Sequence, residues 1–276
     1  MDMNKMFIFT MLNIFLMFNT ASVIYGQYRV KHIVCEDFRQ NTNTVSEMDF
    51  VYNNNQLTSI VSSGNGNVRS DVYAVEQKKL KIALRSDKFT LVSLELDKKG
   101  NIEQKDDIKF DYDKSGLREK VTFIDSYNKR KTKYKLLYYD SGQLAVMACS
   151  ENDYSLNYLL YYNAQQYCEK AVYGNGDRET VMAEWDNGKL KKISGYINRN
   201  TQITIHEFIY DNSGKVVEEK IYVKDKNNVE NLVCHYHITY EEGVGNEDLL
   251  YFDFLNWKVN MFFNQRTCYP YRELRY

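Results

Sequence analysis

Trp185-Asp186-Asn187-Gly188-Lys189-Leu190 is the stretch whose reading decides the fold. An aromatic residue ends one run of alternating apolar and polar residues, Asp-Asn-Gly interrupts it, and Leu190 opens the next. Asn and Gly accept the positive φ that tight, right-twisted hairpin turns require, so the stretch predicts a β-hairpin. Related interruptions follow Tyr52, Val75, Leu96, Tyr112, Tyr139, Tyr162, Tyr210 and Tyr240, and most are closed by an apolar residue such as Leu57, Leu117, Leu144 or Val216. Val75 lies 23 residues after Tyr52, Tyr162 lies 23 after Tyr139, Trp185 lies 23 after Tyr162, and Tyr210 lies 25 after Trp185. A fixed period of this size marks repeated supersecondary units, here two strands and two turns each.

The best-kept copy is Tyr210-Asp211-Asn212-Ser213-Gly214-Lys215-Val216. Its Tyr-Asp-x-x-Gly-x-apolar pattern resembles the YD repeat of Rhs-type proteins, and the chain as a whole resembles secreted YD-like β-meander proteins of Bacteroides-type bacteria. The resemblance covers roughly residues 48–245, the reach of the repeat. It implies an architecture of stacked hairpins and speaks little to activity. Val75, Leu96 and Asn163-Ala164-Gln165-Gln166 depart from the pattern, as do the shortened turns after Tyr112 and Tyr139.

Composition agrees with strands. The chain has 276 residues with 14% aromatics, 24 of them Tyr, and a single Pro, which suits a structure built on ladder hydrogen bonds. Parity predicts the facing. Met48/Phe50/Tyr52, Ile108/Phe110/Tyr112, Val181/Ala183/Trp185 and Tyr236/Ile238/Tyr240 share the anchor's face, and Lys109/Asp111, Glu184 and His235/His237 take the other. Nine turns allow up to eighteen strands. Since twisted open sheets rarely exceed about ten strands, the expectation is a mainly β fold: a long antiparallel meander, curled or folded into two layers.

The two ends read differently. Residues 1–26 read as a secretory signal peptide, with Lys5 ahead of an apolar run from Met6 to Phe18 and Ile24-Tyr25-Gly26 before the cleavage point. The mature repeat domain then spans 27–245. At 246–264 the period changes: Asp253, Asn256, Asn260 and Asn264 form a polar stripe on an otherwise apolar helix, expected to pack on the meander, with a tail to residue 276. Export permits disulfides among Cys35, Cys149, Cys168, Cys234 and Cys268, but the odd number and scattered spacing select no pair.

Function is less legible. The formal net charge of −1 argues against a nucleic-acid partner or an anionic membrane surface. His235-Tyr236-His237 offers two imidazoles on one strand face, but no third ligand is nameable, so no metal and no cofactor is assigned. Asp111-x-Asp113-x-Ser115-Gly116 mimics the start of a calcium loop, but Thr122 stands where a bidentate Glu is needed, so it reads as a turn. Glu184, Glu207, Glu218 and Glu219 could supply a hydrolase's carboxylates, though nothing in their spacing selects two. In the middle repeats the off-anchor face is not polar: Tyr134, Leu136, Tyr138, Leu159 and Tyr161 mark a candidate partner surface or a covered core. The expectation is a non-enzymatic, exported or envelope module that binds a glycan or an envelope protein. A carbohydrate-active hydrolase is the alternative.

Overall fold

A computed structural model describes residues 28–39, 43–64, 67–79, 81–85, 90–124, 130–149, 157–173, 181–195, 203–225 and 227–243. Among them are eighteen strands: β1 (Tyr28–Asp37), β2 (Thr44–Asn53), β3 (Gln56–Gly64), β4 (Asn67–Lys78), β5 (Lys81–Arg85), β6 (Thr90–Leu96), β7 (Ile102–Lys105), β8 (Ile108–Tyr112) and β9 (Arg118–Ile124), followed by β10 (Lys131–Tyr138), β11 (Leu144–Cys149), β12 (Tyr158–Tyr162), β13 (Cys168–Tyr173), β14 (Val181–Asp186), β15 (Lys189–Gly195), β16 (Thr204–Tyr210), β17 (Val216–Lys224) and β18 (Glu230–Glu242). Each pairs antiparallel with its neighbours in sequence, and β18 pairs antiparallel with β1. The sheet is therefore a closed up-and-down barrel. This corrects the expected meander, curled or two-layered with a helix packed on it: closure, rather than a lid, removes the sheet's edges. The helix expected at 246–264 lies outside the described residues, as do the signal peptide and Cys268.

The turns after the even-numbered strands all lie on one rim, and their chemistry is local. Asn187 (φ 48°) and Gly188 (φ 77°) make the two-residue turn between β14 and β15. A Cβ on Gly188 would meet the Tyr167 hydroxyl at 2.8 Å, so a larger residue there must displace that hydroxyl as well as hold a positive φ. Most of the longer turns are Asx turns. Asp113 Oδ1 accepts the amides of Ser115 and Leu117, Asp211 Oδ1 those of Ser213 and Lys215, and Asn163 Oδ1 those of Gln165 and Tyr167.

A bulge follows each turn on this rim except that between β4 and β5, with the extra residue on the odd-numbered strand. Ala145 falls between the pairs Tyr138↔Leu144 and Leu137↔Val146, and Val217 between Tyr210↔Val216 and Ile209↔Glu218. The carbonyl that opens the bulge is bonded by the aromatic of the next unit. Tyr112 donates to Ile102 O, Tyr138 to Arg118 O, Tyr162 to Leu144 O, Tyr210 to Leu190 O and Tyr240 to Val216 O, at 2.7–2.9 Å, and Trp185 Nε1 donates to Cys168 O at 2.8 Å. The repeated aromatic thus does two things: its ring packs at the margin of the core and its polar tip bonds the carbonyl beside the bulge.

The same device explains closure. Tyr240 pairs with Val30, the next pair is Thr239↔His32, and Lys31 is the extra residue. The Val30 carbonyl receives the Tyr52 hydroxyl at 2.8 Å. The seam between β18 and β1 therefore has the same form as the junctions between consecutive units, although no turn joins the two strands.

Inward side chains form two adjoining apolar clusters. One runs from β8 to β16 and includes Phe110, Val121, Leu136, Met147, Leu160 and Ile193. The other runs through β1 to β6, β17 and β18 and includes Ile33, Met48, Ile60, Leu94 and Tyr236. Ile102 and Val216 pack against both. Each buried aliphatic or aromatic side chain contributes roughly 1.5–3 kcal/mol. The outward face carries Asp49, Lys109, Asp111, Glu119, Lys133, Lys135 and Glu184, all exposed. This is the reverse of a bilayer-spanning barrel, which turns its apolar band outward and its polar residues to the lumen.

Candidate functional site on the outer face of the barrel

The five residues expected to share a surface divide between the two faces. Tyr134 and Leu136 are buried and Tyr138 is half-buried, all on the inside, whereas Leu159 and Tyr161 are exposed outside, Tyr161 at 47%. The reason is a one-residue offset. In this unit the anchor is Tyr138, whose hydroxyl bonds Arg118 O, and Tyr139 occupies the turn position that Asp113 and Asp211 fill elsewhere. Shifting the anchor by one residue reverses the face of every residue on that strand.

Once the offset is corrected, an apolar row does exist outside. Leu137 on β10 pairs with Val146 on β11, Val146 with Leu159 on β12, and Leu159 with Val172 on β13. Directly opposed residues share a face, so the four form a transverse line across four strands. Tyr161 flanks it, with Lys170 Nζ 5.8 Å from its ring centroid, and Met182, 55% exposed, pairs with Lys170. Lys133 and Lys135 lie on the same face of β10.

A second outer cluster lies at the closing seam. Glu36 of β1 pairs with His235 of β18, and Val34 with His237, so the carboxylate and both imidazoles point outward together. His235 Nδ1 is 3.6 Å and His237 Nε2 4.0 Å from Glu36 Oε2, and the imidazole centroids are 4.0 Å apart. Glu218 Oε2 of β17 takes a 2.7 Å hydrogen bond from His235 Nε2, and this bond holds the Glu218 carboxyl below its ordinary range. The sequence showed the two histidines. Glu36 is at the opposite end of the chain, and only the closure of the barrel brings it to them.

The other flagged residues take structural roles. Asp113 is the acceptor of its Asx turn, with the Ser115 hydroxyl at 2.6 Å, and Asp111 meets Lys120 Nζ at 3.2 Å. Glu184 and Glu207 lie outside with Lys192 paired to each, so a lysine separates the carboxylates. Glu219 points inward, fully buried, and bonds His206 Nδ1 at 2.7 Å. A shallow depression between β9 and β10 is lined by Glu119, Lys120, Lys133, Tyr134 and Lys135. It holds one carboxylate, whereas glycoside hydrolysis ordinarily uses two.

No protein-family model matches the chain, and no curated protein matches its sequence. Among solved structures, a porin-like protein from Bacteroides uniformis ATCC 8492 is similar at a TM-score of 0.40 and 12% identity, over 77% of this chain and 96% of that one. The TcdB2-TccC3 structure is similar at a TM-score of 0.28 and 7% identity, over 70% of this chain and 15% of that one.

Proposed function

We propose that the protein is an exported, non-enzymatic binding module that docks an envelope protein on the outer face of β10 to β13. The observation that carries this reading is the line Leu137, Val146, Leu159 and Val172, held in register on a face where other exposed apolar residues, such as Val45, Val51 and Ile209, stand opposite polar ones. An apolar line of this kind costs solvation in the free chain and is relieved by a partner. Lys133, Lys135 and Lys170 around it suit a partner whose apolar patch has an acidic rim, and such charge complementarity favours encounter and register.

The barrel itself works outside the bilayer. Each outward lysine would cost about 2–4 kcal/mol at a membrane midplane. Export rests on the signal-peptide pattern of residues 1–26.

The test is a screen of the mature chain against envelope proteins and glycans, with hydrolysis assayed alongside. Wild type is expected to retain an envelope protein that Leu159→Asp and Met182→Asp each release, with no product formed from any glycan. Retention by both variants would place the surface elsewhere, and release of sugar from a glycan would favour the hydrolase.

A further inference from the structure

We infer that Glu36, His235 and His237 form a site for a divalent transition-metal ion of the zinc type, on the outer face where the first and last strands close the barrel. One donor atom from each residue lies within 4.8 Å of the other two. An ion at about 2.0–2.1 Å from nitrogen and carboxylate donors in tetrahedral geometry places those donors roughly 3.4 Å apart. The present separations of 3.6 and 4.0 Å to Glu36 need only small side-chain rotations to reach that value.

The orientation of His235 is the second observation. Its Nε2 faces Glu218 Oε2 at 2.7 Å, and a neutral imidazole that donates there carries its proton on Nε2 and turns its Nδ1 lone pair toward Glu36. A ligating imidazole held from behind by a carboxylate is the usual outer shell of a metal site, since it fixes the tautomer and raises the basicity of the ligand. Lys220 Nζ, 3.6 Å from the same Glu218 oxygen, offsets the charge of that carboxylate.

The donor set selects the ion. Two imidazole nitrogens and one carboxylate suit Zn²⁺, Cu²⁺, Ni²⁺ or Fe²⁺, whereas Ca²⁺ and Mg²⁺ take oxygen ligands. His235 is 15%, Glu36 39% and His237 44% exposed, so an ion enters from solvent and keeps at least one coordination position for water or an outside donor. Because Glu36 is on β1 and both histidines are on β18, the ion ties the first strand to the last and stabilises the closed state by mass action.

The experiment uses the mature chain freed of metal with a chelator. Isothermal titration with Zn²⁺ is expected to give one ion per chain and a higher melting temperature. His235→Ala and His237→Ala are expected to abolish that uptake, and Glu218→Gln to weaken it about 10–100-fold, while each metal-free variant stays folded and melts in a single transition. Co²⁺ bound to wild type is expected to show visible d–d bands without a thiolate charge-transfer band. Absence of stoichiometric uptake by folded wild type, equal uptake by the histidine variants, or a thiolate band pointing to the cysteines would each overturn the site.

Discussion

The offset in the β10–β11 unit can be tested with two adjacent tyrosines. Tyr138 and Tyr139 differ in sequence position by one and in role completely. Tyr138 is half-buried, its phenol pKa is raised by that burial, and its hydroxyl donates to Arg118 O at 2.7 Å beside the bulge. Tyr139 is 50% exposed, occupies the first turn position and touches Tyr162 edge-on at 6.2 Å through its ring. Tyr138→Phe removes one neutral hydrogen bond and leaves a carbonyl unsatisfied, a loss of about 0.5–1.5 kcal/mol. For a chain of this size that lowers the melting temperature by roughly 2–4 °C per kcal/mol. Tyr139→Phe keeps the ring and its edge contact and is expected to stay within about 0.5 kcal/mol of wild type. Urea titration of both variants measures the difference as a shift of midpoint at constant slope. Equal losses, or a larger loss for Tyr139→Phe, would refute the assignment of Tyr138 as the anchor and with it the facing of β10.

Other outcomes follow from the same geometry. Leu160 is buried and Leu159 beside it is exposed, so Leu160→Ala is expected to cost about 2–5 kcal/mol and Leu159→Ser about 0.5 or less, and comparable losses on chemical denaturation would contradict the facing of β12. The Cys168 thiol is pushed up to about 12 by burial, so alkylation near pH 8, mapped by mass spectrometry, is expected to modify the part-exposed Cys149 well before Cys168, and equal rates would contradict its burial. Asp97 and Asp113 are held below the usual carboxylate range, Asp97 first by the Asn101 side chain and Asp113 first by the Ser115 hydroxyl, with backbone amides adding to both. Groups depressed in this way stabilise the fold above about pH 4 and lose that contribution as pH falls through their folded values. Asn163 shows that Asn fills the same turn position, so the Asp97→Asn/Asp113→Asn variant is expected to have a flatter acid limb in a stability–pH titration, and an unchanged limb would count against the turn hydrogen bonds.

The sequence disclosed whatever is settled within a few residues. Asn187-Gly188 specifies its turn because both positions need positive φ, and the inward sets around Phe50, Phe110, Ala183 and Tyr236 follow from period two. The Tyr138/Tyr139 offset was hidden because Tyr139-Asp140-Ser141-Gly142 reads as a shortened copy of the motif that starts on Tyr139, while counting from Tyr138 restores the full spacing to Gly142 and Tyr139 begins the turn. The bulges were hidden too, although Ala145 and Val217 sit one residue past the turn-closing Leu144 and Val216 in each case. Closure and the position of Glu36 depend on β1 meeting β18, a pairing between the two ends of the repeat domain that no local pattern encodes. The seam does carry a clue in retrospect: β18 ends in an anchor, Tyr240, that requires an odd-numbered strand with a bulge beside it, and β1 supplies one.

Closure is the claim on which the outer face, the core and the metal site all depend, and residue-resolved amide exchange on β1 tests it most directly. Successive amides along a strand point to opposite neighbours. In the closed barrel residues 32–37 are flanked by β2 on one side and β18 on the other, so slow exchange is expected along the whole stretch, without alternation. Exchange at the solvent rate by every second amide of this stretch, those directed away from β2, would show an open edge and contradict the barrel.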